Sequence, residues 1–116
     1  MKIHNVLAFV LLATLSFNGS AKTVTIQNGF LTGNDFRILD DISKNMYVTG
    51  LIDGMFLAPF YGAPEKQVNH LAKCTEGMTA SQVRAIFDKY IKNNPEKWHQ
   101  NMHVIGHNAI MAACKQ

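Results

Sequence analysis

Asn94–Cys114 reads NPEKWHQNMHVIGHNAIMAAC, and the way this stretch folds decides the architecture. Asn94 is a suitable N-cap, because its side chain can accept a hydrogen bond from an unpaired N–H of the first turn. Pro95 suits the first helical position, where its fixed φ fits and its missing N–H is not needed. Glu96 early and Lys115 late both match the helix dipole. Trp98, Met102, Ile105, Ala109 and Ala112 recur at spacings of four and three, one face of a helix. Val104, Ile110 and Met111 lie off that stripe, so such a helix is expected to be buried on more than one side. The spacing predicts one helix from Asn94 to Cys114, the central post of a small helical domain.

Working outward, Thr79-Ala80-Ser81-Gln82 is a capping box, in which threonine caps and the glutamine three residues on reaches back. Val83, Ile86, Phe87, Tyr90 and Ile91 follow at i, i+3, i+4, i+7 and i+8, an amphipathic stripe. The short joint Asn93-Asn94-Pro95 predicts a hairpin between this helix and the last. Pro59 to Gly77 is the least regular part, with Pro59, Gly62, Pro64 and Gly77 around the polar run Glu65-Lys66-Gln67. A single helical turn near Gln67–Ala72 is all that it suggests, and Cys74 ties its far end down.

Further back, Phe36, Leu39, Ile42 and Met46 keep helical spacing, continued by Tyr47, Leu51, Ile52, Met55 and Phe56. Asn34 can cap a helix that begins at Asp35. The stretch is either two helices parting near Ser43–Asn45 or one long helix with a bend. Gly50 and Gly54 each cost about 1 kcal/mol against alanine in a helix interior, which suggests that another helix packs closely there. Lys22–Phe30 alternates briefly and reads as an extended arm.

Residues 1–21 carry Lys2, the apolar run Val6–Leu15 and the small-residue stretch Asn18–Ala21, the order of a secretory signal peptide. The apolar run is far short of the ~20 residues of a membrane span, so no membrane role is expected after cleavage. Residues 22–116 make one domain. Removing Lys2 from the 11 basic and 8 acidic residues leaves 10 against 8, a charge of +2 with no basic cluster. That is too weak to suggest a nucleic-acid partner, and none is expected. Two cysteines in an exported chain, Cys74 and Cys114, are most simply one disulfide. Closing a loop of about 40 residues stabilises by roughly 4 kcal/mol in the chain-entropy model. The expectation is an all-α, four- to five-helix bundle with one disulfide.

The residues offer little catalytic chemistry. His99, His103 and His107 stand four apart and could chelate a metal from one helix face. No carboxylate lies between them to act as a base, so a row of polar groups on a half-exposed face is the simpler account. A Cys–His nucleophile needs a free thiolate, which a disulfide removes. Asp40 and Asp41 point about 100° apart on a helix, so they do not face each other as an acid/base pair. No catalytic residue, metal or cofactor is expected, and the chain reads as a binding module.

Four landmarks carry a resemblance. They are Asn34-Asp35, the run Met46–Gly54 (MYVTGLIDG), the run Cys74–Gln82 (CTEGMTASQ), and Lys89–Glu96 (KYIKNNPE) with the closing Ala112-Ala113-Cys114. Together they resemble the Tai/Rap immunity proteins, which protect bacteria from amidase effectors of the type VI secretion system. A further cysteine in the first helix and a proline after the cysteine matching Cys74, common among relatives, are absent. The resemblance implies a periplasmic, all-helical homodimer that blocks the cleft of a Cys–His peptidoglycan amidase. In this chain the contact is expected from the Pro59–Lys73 loop, through Phe60, Tyr61, Glu65, Lys66, Gln67, Asn69 and His70. A periplasmic acid-stress chaperone is the alternative, since four histidines outside the leader could switch charge between pH 5 and 8. Eight acidic residues are too few to favour it.

Overall fold

The computed structural model describes residues 29–115. The leader and most of the arm Lys22–Phe30 therefore lie outside the described residues. The described part is all-α: α1 Gly33–Arg37, α2 Asp41–Phe56, α3 Glu65–Thr75, α4 Ala80–Asn93 and α5 Met102–Ala113. Two short 3₁₀ turns, Ala58–Tyr61 and Pro95–Lys97, join them. One disulfide links Cys74 to Cys114.

The last helix is shorter than its sequence suggests. Pro95 opens a 3₁₀ turn, and α5 begins only at Met102. Asn94 does not cap it: its side-chain amide donates to the Tyr90 carbonyl (2.7 Å) and so closes α4. Trp98 leaves the helical stripe because its indole N–H donates to the Ile91 carbonyl (2.8 Å). These two polar hooks hold the chain in a tight corner that apolar spacing alone cannot reveal. Ala112 is exposed at the end of α5, whereas Met102, Ile105, Ala109 and Ile110 are buried.

That corner receives the start of the described chain. Met102 N–H donates to the Leu31 carbonyl (2.7 Å), Gly33 N–H to Gln100 (3.0 Å) and Asn34 N–H to Trp98 (2.9 Å). Thr32 and Asn101 form a single antiparallel bridge. Thr32, and not Asn34, caps α1, in a capping box with Asp35. A Cβ on Gly33 would sit 2.7 Å from Ile105 Cδ1 and 3.0 Å from the Trp98 carbonyl oxygen. Arg37 lies over the Trp98 ring at 3.2 Å from its centroid, a cation–π contact.

The break after α1 falls at Ile38–Asp40, not at Ser43–Asn45. Asp40 is the reason: its carboxylate accepts from the Ser43 backbone N–H (2.9 Å) and hydroxyl (2.7 Å), which starts a new helix. Both Ser43 bonds hold the Asp40 carboxyl below its ordinary range, and the Arg84 guanidinium does the same for Asp41. Stability from such depressed carboxyls is present above their unfolded pKa of 3.8 and is lost as pH falls through the folded values. Thermal melts should therefore begin to fall below about pH 5 and go on falling as pH drops below 3.8. Asp40→Asn, which can still cap, should make that acid limb shallower.

α4 follows its prediction. The Thr79–Gln82 capping box is formed, with Thr79 N–H donating to Gln82 Oε1 (2.7 Å). Val83, Phe87 and Ile91 are buried, and Ile86 and Tyr90 half-buried. α4 packs chiefly on α5 and α2, and Phe36 joins this core with its ring 6.3 Å from that of Phe87. The glycine that admits a close neighbour is Gly106, where a Cβ would come 2.6 Å from Leu51 Cδ2 and 2.9 Å from the Phe87 ring. At Gly50 and Gly54 a Cβ would meet nothing within 4 Å. The expected helix packing on those two glycines is not made among the described residues.

Candidate functional site

The segment Pro59–Lys73, expected to be an irregular loop, is a 3₁₀ turn followed by a helix. Pro59 enters the turn that runs from Ala58 to Tyr61, closed by Gly62 N–H to the Pro59 carbonyl (3.0 Å). Gly62 has φ +93°, a left-handed conformation that costs a side-chain-bearing residue about 1–2 kcal/mol. The chain therefore reverses sharply here and carries Phe60 and Tyr61 outward, 85% and 88% exposed. Leu57 and Phe56 at the end of α2 are also exposed. The turn thus forms an apolar, aromatic tip.

Pro64 is the N-cap residue of α3, and Glu65 in the first turn and Lys73 in the last suit the helix dipole. Punctuation by Gly62 and Pro64 made this segment look like a loop, although proline commonly opens a helix. Val68 and Leu71 face inward, and Leu71 is buried. Lys66, Asn69, His70 and Lys73 fall at i, i+3, i+4 and i+7 and so share one face. Three of them are exposed and His70 is half-buried. Glu65 and Gln67 are exposed beside that row.

All seven anticipated contact residues thus belong to one continuous feature, the tip and α3. Lys73 extends the α3 face, and Leu57 and Phe56 broaden the tip; helical spacing from Pro64 would have found the first of these. A groove of about 580 Å³ runs along one flank of α3, lined by Ile52, Asp53, Phe56, Lys73, Glu76 and Met78 among others. A second, of about 250 Å³, lies between Met55, Val68, Leu71 and Ile110. α3 therefore stands as a ridge between two depressions. Its C-terminal end is tethered by Cys74 to Cys114, a buried residue at the end of α5.

The histidine row is not as its spacing suggests. His99 lies in the corner before α5, and only His103 and His107 remain one turn apart on the helix. Both are exposed, whereas Cys114 is buried and disulfide-bonded, so it does not share their surface. Among the described residues no group of three or more His, Cys, Asp or Glu side chains is placed to hold a metal ion. The tip and α3 present aromatic and cationic groups on the surface.

The family model of the Rap1a immunity proteins matches residues 30–114. No curated protein and no solved structure matches the chain.

Proposed function

The chain belongs to the Rap1a immunity protein family, and from that membership we propose that it is a periplasmic protein that occludes a type VI secretion peptidoglycan amidase. In this reading residues 1–21 are a cleaved signal peptide, and the domain binds its cognate effector as a homodimer without chemistry of its own. The observation that carries the site is the outward tip, with Phe60 and Tyr61 almost wholly exposed on a short, closed turn.

Aromatic anchors of this kind dominate binding energy when they enter a partner's pocket. The tip is followed by a helix, not a floppy loop, and that helix is bridged to α5, so little conformational entropy remains to be lost on binding. An amidase cleft would take Phe60 and Tyr61, and Lys66, Asn69 and His70 on the adjoining face would set specificity. The ridge is small beside a standard interface of about 1,600 Å², so neighbouring surface must contribute.

Replacing Tyr61, Lys66 and His70 together with alanine should weaken inhibition of the cognate amidase more than tenfold, about 1.4 kcal/mol. Circular dichroism should stay unchanged, because the three side chains lie outside the core. The check is titration of amidase activity together with survival of cells that express the effector in the periplasm. Undiminished inhibition by the triple variant would place the contact on another surface.

A further inference from the structure

We infer that the groove enclosed by α2, α3 and α5 is a copper(I) site, with the imidazole of His107 and the thioethers of Met55 and Met111 as its three donors. The site goes beyond the immunity reading and does not depend on it.

These three residues line one cavity of about 250 Å³. The rest of its wall is apolar apart from Gln67, and it includes the buried Leu71 and Ile110. No acidic or basic side chain lines it. His107 is exposed, and among the described residues its ring makes no hydrogen bond or ion pair. A nitrogen lone pair is therefore available at the mouth of the groove.

Helical spacing lets the donors converge. His107 and Met111 are one turn apart on α5, which puts their Cβ atoms about 5–6 Å from each other. Met55 comes across from α2. Along the seam between the two helices, Met46 and Tyr47 lie with His103, and Met55 and Ala58 with Met111. The helices thus run the same way, and Met55 is level with the turn from His107 to Met111. Its side chain, unbranched and with three rotatable bonds, can adapt to an ion held by the other two. His103 is engaged elsewhere: it does not line this cavity, and a Cβ on Gly29 would sit 2.9 Å from its Nδ1.

The donor set selects the metal. Imidazole suits several transition ions, but thioethers are soft ligands that favour copper(I). Zinc sites are built from thiolates, imidazoles and carboxylates, usually four of them, and here there are three donors, none of them anionic. A divalent charge would lie uncompensated against an apolar wall, whereas a monovalent ion leaves less to compensate. Both cysteines are in the disulfide, so no thiolate competes for the ion. The same bridge ties the end of α3 to the end of α5 and so holds the Leu71 wall in place. In the sequence the histidine row lacked further ligands; the fold supplies them as thioethers, one from each of two helices.

The test is an anaerobic titration of untagged, disulfide-intact protein with copper(I) held by a coloured chelator in ascorbate, with no effector present. One copper(I) per chain should leave the chelator, and X-ray absorption should show two sulfur neighbours and one nitrogen. Met55→Leu and Met111→Leu nearly conserve volume, so both should fold with melting temperatures near wild type. Each should weaken binding at least as much as losing an outer-shell partner does, roughly 10–100-fold, and His107→Gln should do the same. His103→Gln should bind as the wild type does. The inference is overturned if the wild type takes no copper(I) from the chelator, or if the double variant Met55→Leu with Met111→Leu binds it unchanged. It is also overturned if His103→Gln loses as much affinity as His107→Gln, which would mark an ordinary surface histidine pair, or if zinc binds as tightly as copper(I).

Discussion

Cys74→Ala with Cys114→Ala should lose about 4 kcal/mol of stability and melt roughly 15–30 °C below the wild type. The bridge joins residues 40 apart in sequence, and most of its effect lies in restricting the unfolded chain. A domain of this size has about 5–15 kcal/mol in all, so the double variant should sit near the edge of folding at 37 °C. The loss should not be spread evenly. α3 has a buried Leu71 and half-buried Val68, Ala72 and Cys74 to hold it, whereas α4 and α5 share most of the core. Without the bridge α3 should open first, and with it the face that carries Lys66, Asn69 and His70. Hydrogen exchange should show faster α3 amides while α4 amides keep most of their relative protection. Intact-mass measurement after thiol alkylation, with no label taken up before reduction, verifies the bridge in the starting protein. A melting temperature within a few degrees of wild type would mean that packing alone holds α3.

The sequence analysis read the helices whose signals are purely periodic or carry a known cap. α4 has both, in its capping box and its Val83-Phe87-Ile91 stripe. The disulfide needed only a count of cysteines and the expectation of export. Less legible were the places where a side chain bonds to backbone against the apolar rhythm. Asp40 starts a helix within an unbroken hydrophobic pattern, and Trp98 and Asn94 turn the chain at a position where periodicity runs on. The Asp40 cap is local and was hidden by apolar spacing that runs on across it, and the Asn94 and Trp98 side chains reach back only four and seven residues, to carbonyls of α4. The glycines show the same limit. Gly50, Gly54 and Gly106 are alike in sequence, yet only Gly106 lies against another helix inside the chain. For the contact ridge the residues were legible but their arrangement was not. Reading Pro59–Lys73 as a loop with at most one helical turn left Lys66, Asn69 and His70 scattered, and the helix Glu65–Thr75 brings them onto one face.

Phe87→Ala should cost 3–5 kcal/mol, the range for a large aromatic removed from a packed core. Phe87 is fully buried and lies against two other helices. Its ring faces Phe36 from α1, and its edge lies under Gly106 of α5, where Leu51 of α2 also comes close. The size of the effect depends on how far the site can collapse. α1 is fixed by backbone bonds to the Trp98–Met102 corner, so it cannot follow the vacated space, and the cost should lie in the upper part of that range. Gly106 supplies a sharper test of the same geometry. Gly106→Ala alone would gain about 1 kcal/mol of helix propensity but drive its methyl into the Phe87 ring and Leu51, an overpacking cost of about 1–3 kcal/mol. In a Phe87→Leu background the ring edge is gone, and part of that clash goes with it. The pair should therefore be non-additive, the double variant being more stable than the sum of singles predicts by at least 0.5 kcal/mol. Denaturant unfolding of the four proteins in the cycle measures this directly. If the two changes proved additive, α5 would not be resting on the Phe87 ring, and the close crossing at Gly106 would have to be held by Leu51 alone.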